Sequence, residues 1–481
     1  MKVLFLNPPS PNGENVIRDS IYGCWCRGRR IAGAITPPYP QVLLATVARN
    51  HGHQVQVVDA VAHRIGMGQL EGLALEHDVV VILTSVMTFA EDRQVLSIMK
   101  KANPGLTTIL YGALPTFMPG FCLRFREVDF IIRREAEQVL VKLLKVLGEG
   151  GSLGDVNGIG YRDNHQPQIN PLHPFISNLD ELPLPEWSLL PPAKDYFNPL
   201  VLRHPYVTEL TSRGCPGKCT FCMAPGFYGK RVRMRSAQVV VEAFRRYKAL
   251  GFKEIYLRDE MFTTSKRRVR EICERLIAEK IDLTWLCSAK IGSLDRETLA
   301  LMRRAGCHTI KFGVESGSQQ ILDNVKKGIT IAQTEQTFAW CHEVGLRTHA
   351  HMLVGCPGET PHTLRQSIAL LKRIRPTTVT FGILTPYPGT PIYEQVLEKY
   401  PHLRDEYNLP LEQLHTTGFY TDAFCDIPPE ELAYWVKWAH RRFYLRPGYV
   451  LEWLGRVHSW GEFMQVVRAG MKVVQFAIVG D

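Results

Sequence analysis

Three cysteines on one short stretch are the residues of this chain best suited to metal chemistry. Cys215, Cys219 and Cys222 are spaced C-x3-C-x2-C, directly after a run at 206–210 that reads as a strand. Cysteine thiolates are the usual ligands of iron–sulfur clusters, and close spacing on one loop lets a single turn surround a cubane. A cubane and a closed zinc site both require four ligands. Three ligands on one loop therefore indicate a metal with one position open to a substrate, the alternatives being a zinc knuckle or unrelated surface cysteines.

The cysteine loop resembles the signature of the radical S-adenosylmethionine superfamily, in which an aromatic residue, here Phe221, precedes the last cysteine. The resemblance implies that Cys215, Cys219 and Cys222 hold a [4Fe–4S] cluster. It implies that S-adenosylmethionine chelates the fourth iron through its amino and carboxylate groups and is cleaved reductively to a 5′-deoxyadenosyl radical. Phe221 is then expected in the S-adenosylmethionine site.

The composition is that of a globular protein of roughly two to four domains. The 481 residues contain 12 scattered cysteines, so we expect no disulfide scaffold, and an exposed cluster would require a reducing cytosol. The first residues lack the pattern of a signal peptide, and no apolar run reaches about 18 residues, so we expect a cytoplasmic protein without a membrane-spanning helix. A general excess of arginine and lysine explains the formal charge of +10 as well as an anionic partner does.

Strands and helices alternate through residues 1–150, the first predicted domain. The continuously apolar run at 79–84 is typical of a parallel strand covered on both faces. The alternation predicts an α/β fold with a doubly wound, Rossmann-like parallel sheet, whose ligands bind outside the carboxyl ends of the strands. The predicted strands are 2–7, 54–59, 79–84, 106–111 and 128–132, and the predicted helices are 39–50, 91–102 and 135–148.

The strand ends of this domain resemble the cobalamin-binding domain that precedes many radical S-adenosylmethionine cores. There a hydroxyl after the third strand and a glycine loop after the fourth hold the nucleotide tail, and a glycine permits close approach of the backbone to a bulky ligand. The alternative is a Rossmann-like domain with no cofactor or with a nucleotide, although no Gly-x-Gly-x-x-Gly follows the first strand. The resemblance implies that cobalamin is bound by Ser85, Gly112, Ala113, Thr116 and Glu135.

One part of the cobalamin-binding pattern is missing. Forms of the domain that coordinate cobalt through histidine carry Asp-x-His-x-x-Gly, whereas here His63 follows Asp59 by four residues, after the second strand. We interpret His63 as a surface residue and expect cobalt to have no histidine ligand from the protein. The pair Cys24 and Cys26 is too small a ligand set for a metal site and is interpreted as part of a loop over the cofactor.

A linker and a second α/β unit follow. Residues 151–205 are rich in glycine and proline, which predicts an irregular linker with one hairpin near 158–169. Six β/α units at 206–395 then predict a partial (β/α)6 barrel with its chemistry at the carboxyl ends of the strands, where the cysteine loop lies. The predicted strands are 206–213, 253–258, 282–287, 308–314, 347–354 and 377–384, and the predicted helices are 236–250, 265–279, 295–305, 317–325, 331–344 and 361–373.

Further strand ends of the predicted barrel resemble elements of the radical S-adenosylmethionine core. Glu315, in Gly-Val-Glu-Ser-Gly, matches a glutamate that binds the ribose hydroxyls, a task that suits a carboxylate. The alternative for Glu315 is an acid favoured by the N-terminus of a helix. Gly355, in Gly-x-Pro-Gly-Glu-Thr, belongs to an element that lies under the adenine, and Lys290 after the third strand is placed in the same site.

The sequence assigns no catalytic residue, but it offers three candidates. His349 and His351 alternate with apolar neighbours, so both can point into the barrel as proton donors or substrate contacts. A structural core histidine is the commoner case. Tyr387, in Thr-Pro-Tyr-Pro-Gly-Thr-Pro, belongs to a segment that recurs in cobalamin-type relatives and is expected to face the substrate.

Residues 396–481 are predicted to be helical and combine aromatic with basic side chains. Such a combination fits either an amphipathic surface that meets a membrane or lipid, or a helical cap on the barrel. The aromatic residues are Trp435, Trp438, Phe443, Tyr444, Tyr449, Trp453 and Trp460.

Over most of residues 1–395 the chain thus resembles the cobalamin-dependent radical S-adenosylmethionine enzymes. The resemblance implies an electron from flavodoxin or ferredoxin, hydrogen abstraction from an unactivated carbon, and methyl transfer to a hydrophobic small molecule, with a lipid or tetrapyrrole preferred and no nucleic acid expected. The alternative is a radical cyclase similar to the anaerobic magnesium-protoporphyrin monomethyl ester cyclase. A tRNA methylthiotransferase would need three further cluster cysteines in the first domain, and a cobalamin carrier would not need the cysteine loop.

Overall fold

The structure is a computed structural model that describes residues 1–9, 18, 34–164, 166–405 and 420–449. Cys24, Cys26 and the aromatic residues from Trp453 onward lie outside the described residues. The roles predicted for them therefore stay predictions.

A seven-stranded sheet, here called the front sheet, is formed by residues 2–169. Its strands are β1 (Lys2–Asn7), β2 (Gln54–Asp59), β3 (Val79–Thr84), β4 (Thr107–Gly112), β5 (Phe130–Arg133), β6 (Ile159–Asp163) and β7 (Gln166–Ile169). They lie in the order β2-β1-β3-β4-β5-β6-β7, with β1 to β5 parallel and the β6–β7 hairpin antiparallel. The hairpin expected near 158–169 therefore extends the front sheet, because β6 pairs with β5.

Helices cover both faces of the front sheet. They are α1 (Tyr39–Asn50), α2 (Leu70–Glu76), α3 (Phe89–Ala102), α4 (Ala113–Phe117), α5 (Pro119–Leu123) and α6 (Glu137–Glu149). Successive side chains of a strand point to opposite faces, so Val3 and Phe5 pack with α1 and α6, and Leu4 and Leu6 pack with α2 and α3. The strand order reverses between β1 and β3. The predicted doubly wound sheet is confirmed.

A six-stranded parallel sheet forms the predicted partial barrel. The strands of this part of the chain are β8 (Tyr206–Glu209), β9 (Ser212–Arg213), β10 (Arg233–Met234), β11 (Glu254–Leu257), β12 (Thr284–Ala289), β13 (Cys307–Glu315), β14 (Arg347–Val354) and β15 (Thr378–Ile383). The barrel order is β15-β14-β13-β12-β11-β8, in sequence order without a crossover. On β13, Ile310 and Phe312 face the surrounding helices, so Lys311 and Gly313 face the barrel interior.

The first barrel strand is shorter than predicted. The run expected at 206–213 divides, because Ser212–Arg213 leaves the barrel and pairs antiparallel with Arg233–Met234. Asp259, at the end of the next barrel strand, accepts hydrogen bonds from Thr211 N at 2.6 Å and from the hydroxyls of Thr211 and Ser212 at 2.6 and 2.7 Å. These bonds fix the bend that leads into the cysteine loop.

Helices surround the barrel sheet and continue beyond it. They are α7 (Ala224–Phe227), α8 (Ala237–Ala249), α9 (Lys266–Ala278), α10 (Arg296–Arg304), α11 (Gln319–Asn324), α12 (Ile331–Glu343), α13 (Pro361–Ile374), α14 (Pro391–Lys399) and α15 (Pro429–Tyr444). None of the helices within the described ranges is long and apolar enough to cross a membrane.

Helix α15 caps the open edge of the barrel sheet. Its residues Trp435, Val436 and Phe443 are buried in the barrel's outer core. The Tyr444 hydroxyl donates to Val379 O at 2.5 Å and accepts from Val379 N at 2.9 Å, so it satisfies the unpaired backbone of the edge strand. Of the two alternatives for the C-terminal region, the described part forms a helical cap.

Candidate functional site

The cysteine loop follows β9 at the carboxyl end of the barrel. Gly214 begins the loop with a φ of +96°, and a Cβ there would lie 2.3 Å from Arg231 O, so the turn requires glycine. Cys215 N donates to Gly229 O at 3.1 Å, and Thr220 N donates to Val325 O at 3.1 Å. The loop is therefore fixed to two other segments of the barrel before any ligand binds.

Two of the three thiols of the loop lie on the same side of Gly217. The sulfurs of Cys215 and Cys219 lie 3.2 and 3.8 Å from the point where a Cβ on Gly217 would stand. Burial, together with the neighbouring Cys219 and Cys215, raises the pKa of Cys222 to about 12. All three cysteines are free and partly accessible. The donor set fits a cluster held by three thiolates on one loop.

The zinc alternative has no ligand set within the described ranges. No three His, Cys, Asp or Glu side chains there stand close enough together to hold one metal ion. This finding includes Cys215, Cys219 and Cys222, whose thiols do not form a single-ion site among the described residues.

Glu315 ends β13 and forms a buried ion pair beside the cysteine loop. Its backbone has a φ of +64°, and its carboxylate lies 2.5 Å from Lys327 Nζ. Burial acts to lower the pKa of Lys327, but Glu315 and then Cys219 outweigh it, so the pKa is raised. Lys327 Nζ is also 6.0 Å from the centre of the Phe221 ring. Lys327 thus links Glu315, Phe221 and the cysteine loop into one site.

The structure argues against Glu315 as an acid that stabilises a helix N-terminus. The following helix, α11, begins only at Gln319, and Ser318 occupies the capping position. Glu315 belongs instead to the strand and points back to Lys327. The ribose-binding role of Glu315 stays a prediction, and its position at the carboxyl end of β13 is suitable for that role.

Gly355 lies in a turn held by a buried glutamate. Glu359 Oε2 accepts hydrogen bonds from Gly355 N at 2.6 Å and from Cys356 N at 3.2 Å. Gly355 has a φ of +87°, and a Cβ there would contact the Leu432 side chain at 3.2 Å. Burial raises the pKa of Glu359 to about 8. Glu359 therefore shapes the turn in which S-adenosylmethionine is predicted to bind.

Phe221 and Lys290 lie on either side of this site. Phe221 is buried in a small apolar cluster with Ile321 and Leu353, next to Cys219 and Cys222. Lys290 is exposed after β12, and its Nζ lies 3.9 Å from the Cβ position of Gly328, beside Lys327. The structure brings both residues to the carboxyl end of the barrel, and their contact with S-adenosylmethionine stays a prediction.

His349 and His351 both point into the barrel, as predicted. Their rings are 4.5 Å apart, and Thr380 Oγ1 lies 3.3 Å from His349 Nε2 and 2.8 Å from His351 Nδ1. Burial, and then the charge of Lys311, lowers the pKa of His349 to about 3. Burial also lowers the pKa of His351, followed by His349 and Lys311. Both rings are therefore neutral at physiological pH and lie among polar groups of the barrel interior.

Tyr387 does not face an open space, contrary to the sequence prediction. Its side chain is fully buried in the core cluster between barrel and front sheet, and its hydroxyl lies 3.5 Å from Met87 Sδ. The proline-rich turn that carries Tyr387 packs on the front sheet, so its aromatic side chain contributes to that contact rather than to a substrate pocket.

The carboxyl edge of the front sheet carries the residues predicted to bind cobalamin. Gly112 has a φ of +121°, and a Cβ there would lie 2.4 Å from Thr84 O. The glycine is thus required by the neighbouring strand, before any ligand approaches. Thr116 donates its hydroxyl to Gly112 O and accepts from Arg134 N, both at 2.7 Å, and so shapes the loop around Ala113.

Ser85 belongs to a chain of buried hydrogen bonds at the same edge. Its hydroxyl lies 3.2 Å from Thr88 Oγ1, which donates to Asp92 at 2.8 Å. Arg18 Nε donates to the other oxygen of Asp92 at 2.9 Å. The arginine side chain is thereby held at the cavity described below.

Glu135 joins the front sheet to the barrel through buried ion pairs. Arg233 Nη1 donates to both Glu135 oxygens at 2.8 Å, and Arg213 Nη1 donates to Glu135 and Glu137 at 3.2 Å each. Ile176 N donates to Glu135 at 2.8 Å. The Glu135 carboxylate is therefore occupied by protein groups, although the residue lines the same cavity as Gly112.

A cavity of about 850 Å³, counting its solvent-open part, lies between the two carboxyl edges. Its apolar walls and its arginines suit a partly polar ring ligand such as a corrinoid. The front sheet lines it with Leu83, Gly112, Ala113 and Arg134–Glu137, and the barrel lines it with Leu210, Arg213, Tyr228, Arg258 and Glu260.

His63 is partly buried rather than a surface residue. Its two ring nitrogens lie 2.8 Å from Asp59 O and 3.0 Å from Pro191 O, so the ring joins the front sheet to the linker. Asp59 is buried and accepts from Asn7 Nδ2 and the Tyr196 hydroxyl. Both His63 nitrogens are thus occupied by backbone carbonyls, and the expectation of no histidine ligand to cobalt stays a prediction.

Three site residues were missed from the sequence. Lys327 lies in an ordinary Lys-Lys-Gly turn, and Arg213 precedes the cysteine loop without a motif of its own. Glu260 follows the second predicted barrel strand in Arg-Asp-Glu, without a motif of its own. Their roles depend on tertiary neighbours, which no local pattern displays.

The comparisons with known proteins give the class to which this fold and site belong. The model of the radical S-adenosylmethionine superfamily matches residues 210–371, and the model of the B12 binding domain matches residues 30–144. The chain belongs to the cobalamin-binding radical S-adenosylmethionine enzymes. The cofactors of this family are the predicted ones: a [4Fe–4S] cluster, S-adenosylmethionine and cobalamin.

Individual relatives agree with this class. The chain is 30% identical over 401 residues to an uncharacterised methyltransferase of Pyrococcus horikoshii, covering 82% of this chain and 83% of the relative. It is 28% identical over 411 residues to the anaerobic magnesium-protoporphyrin IX monomethyl ester cyclase of Rubrivivax gelatinosus, covering 83% and 70%. The solved radical S-adenosylmethionine methyltransferase TsrM of Kitasatospora setae, with cobalamin and a [4Fe–4S] cluster bound, shares 18% identity and the fold, with a TM-score of 0.70 over 99% of this chain and 98% of that one.

Proposed function

We propose that the protein is a cobalamin-dependent radical methylase that methylates an unactivated carbon of a hydrophobic small molecule. One observation carries the proposal: the carboxyl edge of the front sheet and the segments flanking the cysteine loop line the same cavity. A corrinoid on the front sheet and a cluster on Cys215, Cys219 and Cys222 would then serve one substrate. When bound, the cluster supplies the electron that cleaves S-adenosylmethionine, and the corrinoid supplies the methyl group.

The residues of the chain have distinct tasks in this proposal. Cys215, Cys219 and Cys222 hold three irons and leave the fourth for S-adenosylmethionine. Glu315 accepts hydrogen bonds from the ribose hydroxyls, and its ion pair with Lys327 fixes the orientation of that side chain. The turn at Gly355, fixed by Glu359, lies against the adenine. Buried apolar side chains of Leu43, Leu44 and Leu83 line part of the cavity and limit the access of water there.

Ring formation is the alternative reaction, and the two differ in the fate of one methyl group. We expect anaerobically reconstituted protein to contain a four-iron cluster and corrinoid, to form 5′-deoxyadenosine, and to transfer the labelled methyl of S-adenosylmethionine to product. A product without label would contradict methylation. Substitution of Cys215, Cys219 or Cys222 by alanine should abolish both iron and 5′-deoxyadenosine, whereas Cys273→Ala in the core of α9 should retain both.

The proposed partners follow from the same chemistry. The enzyme class needs a reductant and a small-molecule substrate, and we assign the first to a flavodoxin or ferredoxin and the second to a lipid or tetrapyrrole. A peripheral membrane contact is assigned to the C-terminal region. Reduction of the cluster by purified flavodoxin, followed by 5′-deoxyadenosine formation, tests the first assignment, and sedimentation with lipid vesicles tests the last.

A further inference from the structure

Glu260 is a buried carboxyl that no residue of the described structure satisfies. Neither of its oxygens has a hydrogen-bond partner on another described residue, and both are shielded from solvent. The adjacent Asp259, by contrast, is fully occupied by Thr211 and Ser212. Burying an unpaired carboxyl destabilises a fold, so its persistence indicates a ligand that completes it.

The nearby cations do not complete Glu260. Arg213 and Arg233 are close enough to influence it electrostatically, but their guanidinium groups donate to Glu135 and Glu137. Burial raises the pKa of Glu260 to about 8, so its carboxyl is mostly protonated at pH 7. A protonated carboxyl offers one O–H donor and one carbonyl acceptor side by side.

Glu260 also lies in the wall of the cavity between the front sheet and the barrel. It lines the cavity of about 850 Å³ from the barrel side, opposite Gly112 and Ala113 of the front sheet. In the proposed function this cavity holds the corrinoid. A corrin ring carries carboxamide side chains around its edge, and each carboxamide offers a carbonyl acceptor and N–H donors.

We propose that Glu260 recognises the corrinoid by pairing its carboxyl with one of these peripheral carboxamides. The inference rests on the proposed function, because it requires cobalamin in the cavity. The pairing gives the barrel its own contact with a cofactor that the front sheet otherwise holds. A carboxamide or amine on the substrate offers N–H donors as well, so the test is made without substrate.

The test is the affinity of cluster-loaded protein for hydroxocobalamin, measured by the change in corrinoid absorbance. Glu260→Leu and Glu260→Met, which remove both hydrogen-bonding atoms, should weaken binding about tenfold or more. Glu260→Gln keeps a donor and an acceptor and should bind like the wild type. Glu274→Gln, an exposed glutamate on α9, is the control and should also bind like the wild type.

A second measurement guards against a general loss of folding. Since no described residue pairs with the Glu260 carboxyl, Glu260→Leu should unfold at the same temperature as the wild type or higher when no corrinoid is present. A corrinoid affinity that is unchanged in the leucine and methionine variants overturns the proposal. The proposal is also overturned if these variants lose methyl transfer while their corrinoid affinity is unchanged. Glu260 would then pair with an N–H donor of the substrate.

The Glu260→Gln variant distinguishes a protonated Glu260 carboxyl from an ionised one. Weak binding by Glu260→Gln as well would mean that Glu260 acts as an ionised carboxylate, and it would overturn the pairing of a protonated carboxyl with a carboxamide. Failure of the proposed function looks different, because wild-type protein would then bind no hydroxocobalamin at all, and the inference would fall with it.

Discussion

Lys327 and Glu315 form a buried ion pair of 2.5 Å directly beside the cysteine loop. The pair also lies close enough to Cys219 and Cys222 to interact with them electrostatically. Glu315 raises the pKa of Lys327 most, and the two cysteines raise it further. A substitution of Lys327 or Glu315 should therefore change both the free energy of unfolding and the rate of S-adenosylmethionine cleavage.

Lys327→Met should destabilise the protein by about 3–5 kcal/mol, because it leaves the Glu315 carboxylate buried without its cation. The double variant Lys327→Met/Glu315→Gln should recover most of that stability, since the uncompensated charge is removed. It should not recover 5′-deoxyadenosine formation, which requires the carboxylate. Thermal unfolding and a 5′-deoxyadenosine assay measure the two effects. Lys326→Met, one residue away and exposed, should change neither.

Glu359 should make stability depend on pH above the ordinary range of carboxyl groups. Burial raises its pKa from 4.5 to about 8, so between these values the folded protein holds a proton that the unfolded chain releases. Stability should therefore fall as pH rises from 4.5 to 8, by at most about 1.4 kcal/mol per pH unit for this group. Urea unfolding at pH 5 to 8 should show a smaller slope for Glu359→Gln. Parallel curves for wild type and variant would contradict this, and Glu430→Gln, at an exposed position of α15, is the control.

Glu137 should show the opposite dependence. Burial acts to raise its pKa, but the Arg213 guanidinium outweighs burial, so the pKa is lowered below 4.5. The stability from this pair is then present above pH 4.5 and is lost as pH falls below it. Glu137→Gln should destabilise the protein by about 3 kcal/mol or more at pH 7, and by less below pH 4.5. Urea unfolding at pH 7 and pH 4 measures both, and an equal loss at both values would exclude the ionised pair.

Tyr444→Phe should loosen the cap on the barrel's edge strand. The substitution removes a hydroxyl that both donates to and accepts from the backbone of Val379, and it leaves those backbone groups without their partner. We expect a loss of about 1–3 kcal/mol and faster hydrogen exchange at the Val379 amide. Tyr434→Phe, on an exposed ring of the same helix, should have no such effect.

The sequence predicted both sheets because their strands carry strong local patterns. The run Val79–Leu83 is apolar throughout, and β13 and β14 alternate polar and apolar residues as half-barrel strands do. The cysteine loop and Glu315 were found because their spacing is itself the signal. The break after Glu209 was missed because it depends on Asp259, fifty residues further along the chain.

The contacts between the front sheet and the barrel could not be predicted from the sequence, because they also join residues far apart in the chain. Tyr387 was expected to face substrate from its proline-rich turn, yet the turn packs on Met87. Glu135 was expected to bind cobalamin from its position after a strand, yet Arg213 and Arg233 occupy it. Tertiary packing decides which partner a buried polar side chain contacts, and the periodicity of the sequence does not predict that partner.

The Arg213 side chain has a consequence for how a substrate enters. Its backbone leads straight into Gly214 and the cysteines, while its guanidinium is bound to the front sheet at Glu135 and Glu137. A hinge motion between the front sheet and the barrel would have to break these ion pairs and leave their charges unpaired. We therefore expect the front sheet and the barrel to stay together as a single body when a substrate enters the cavity.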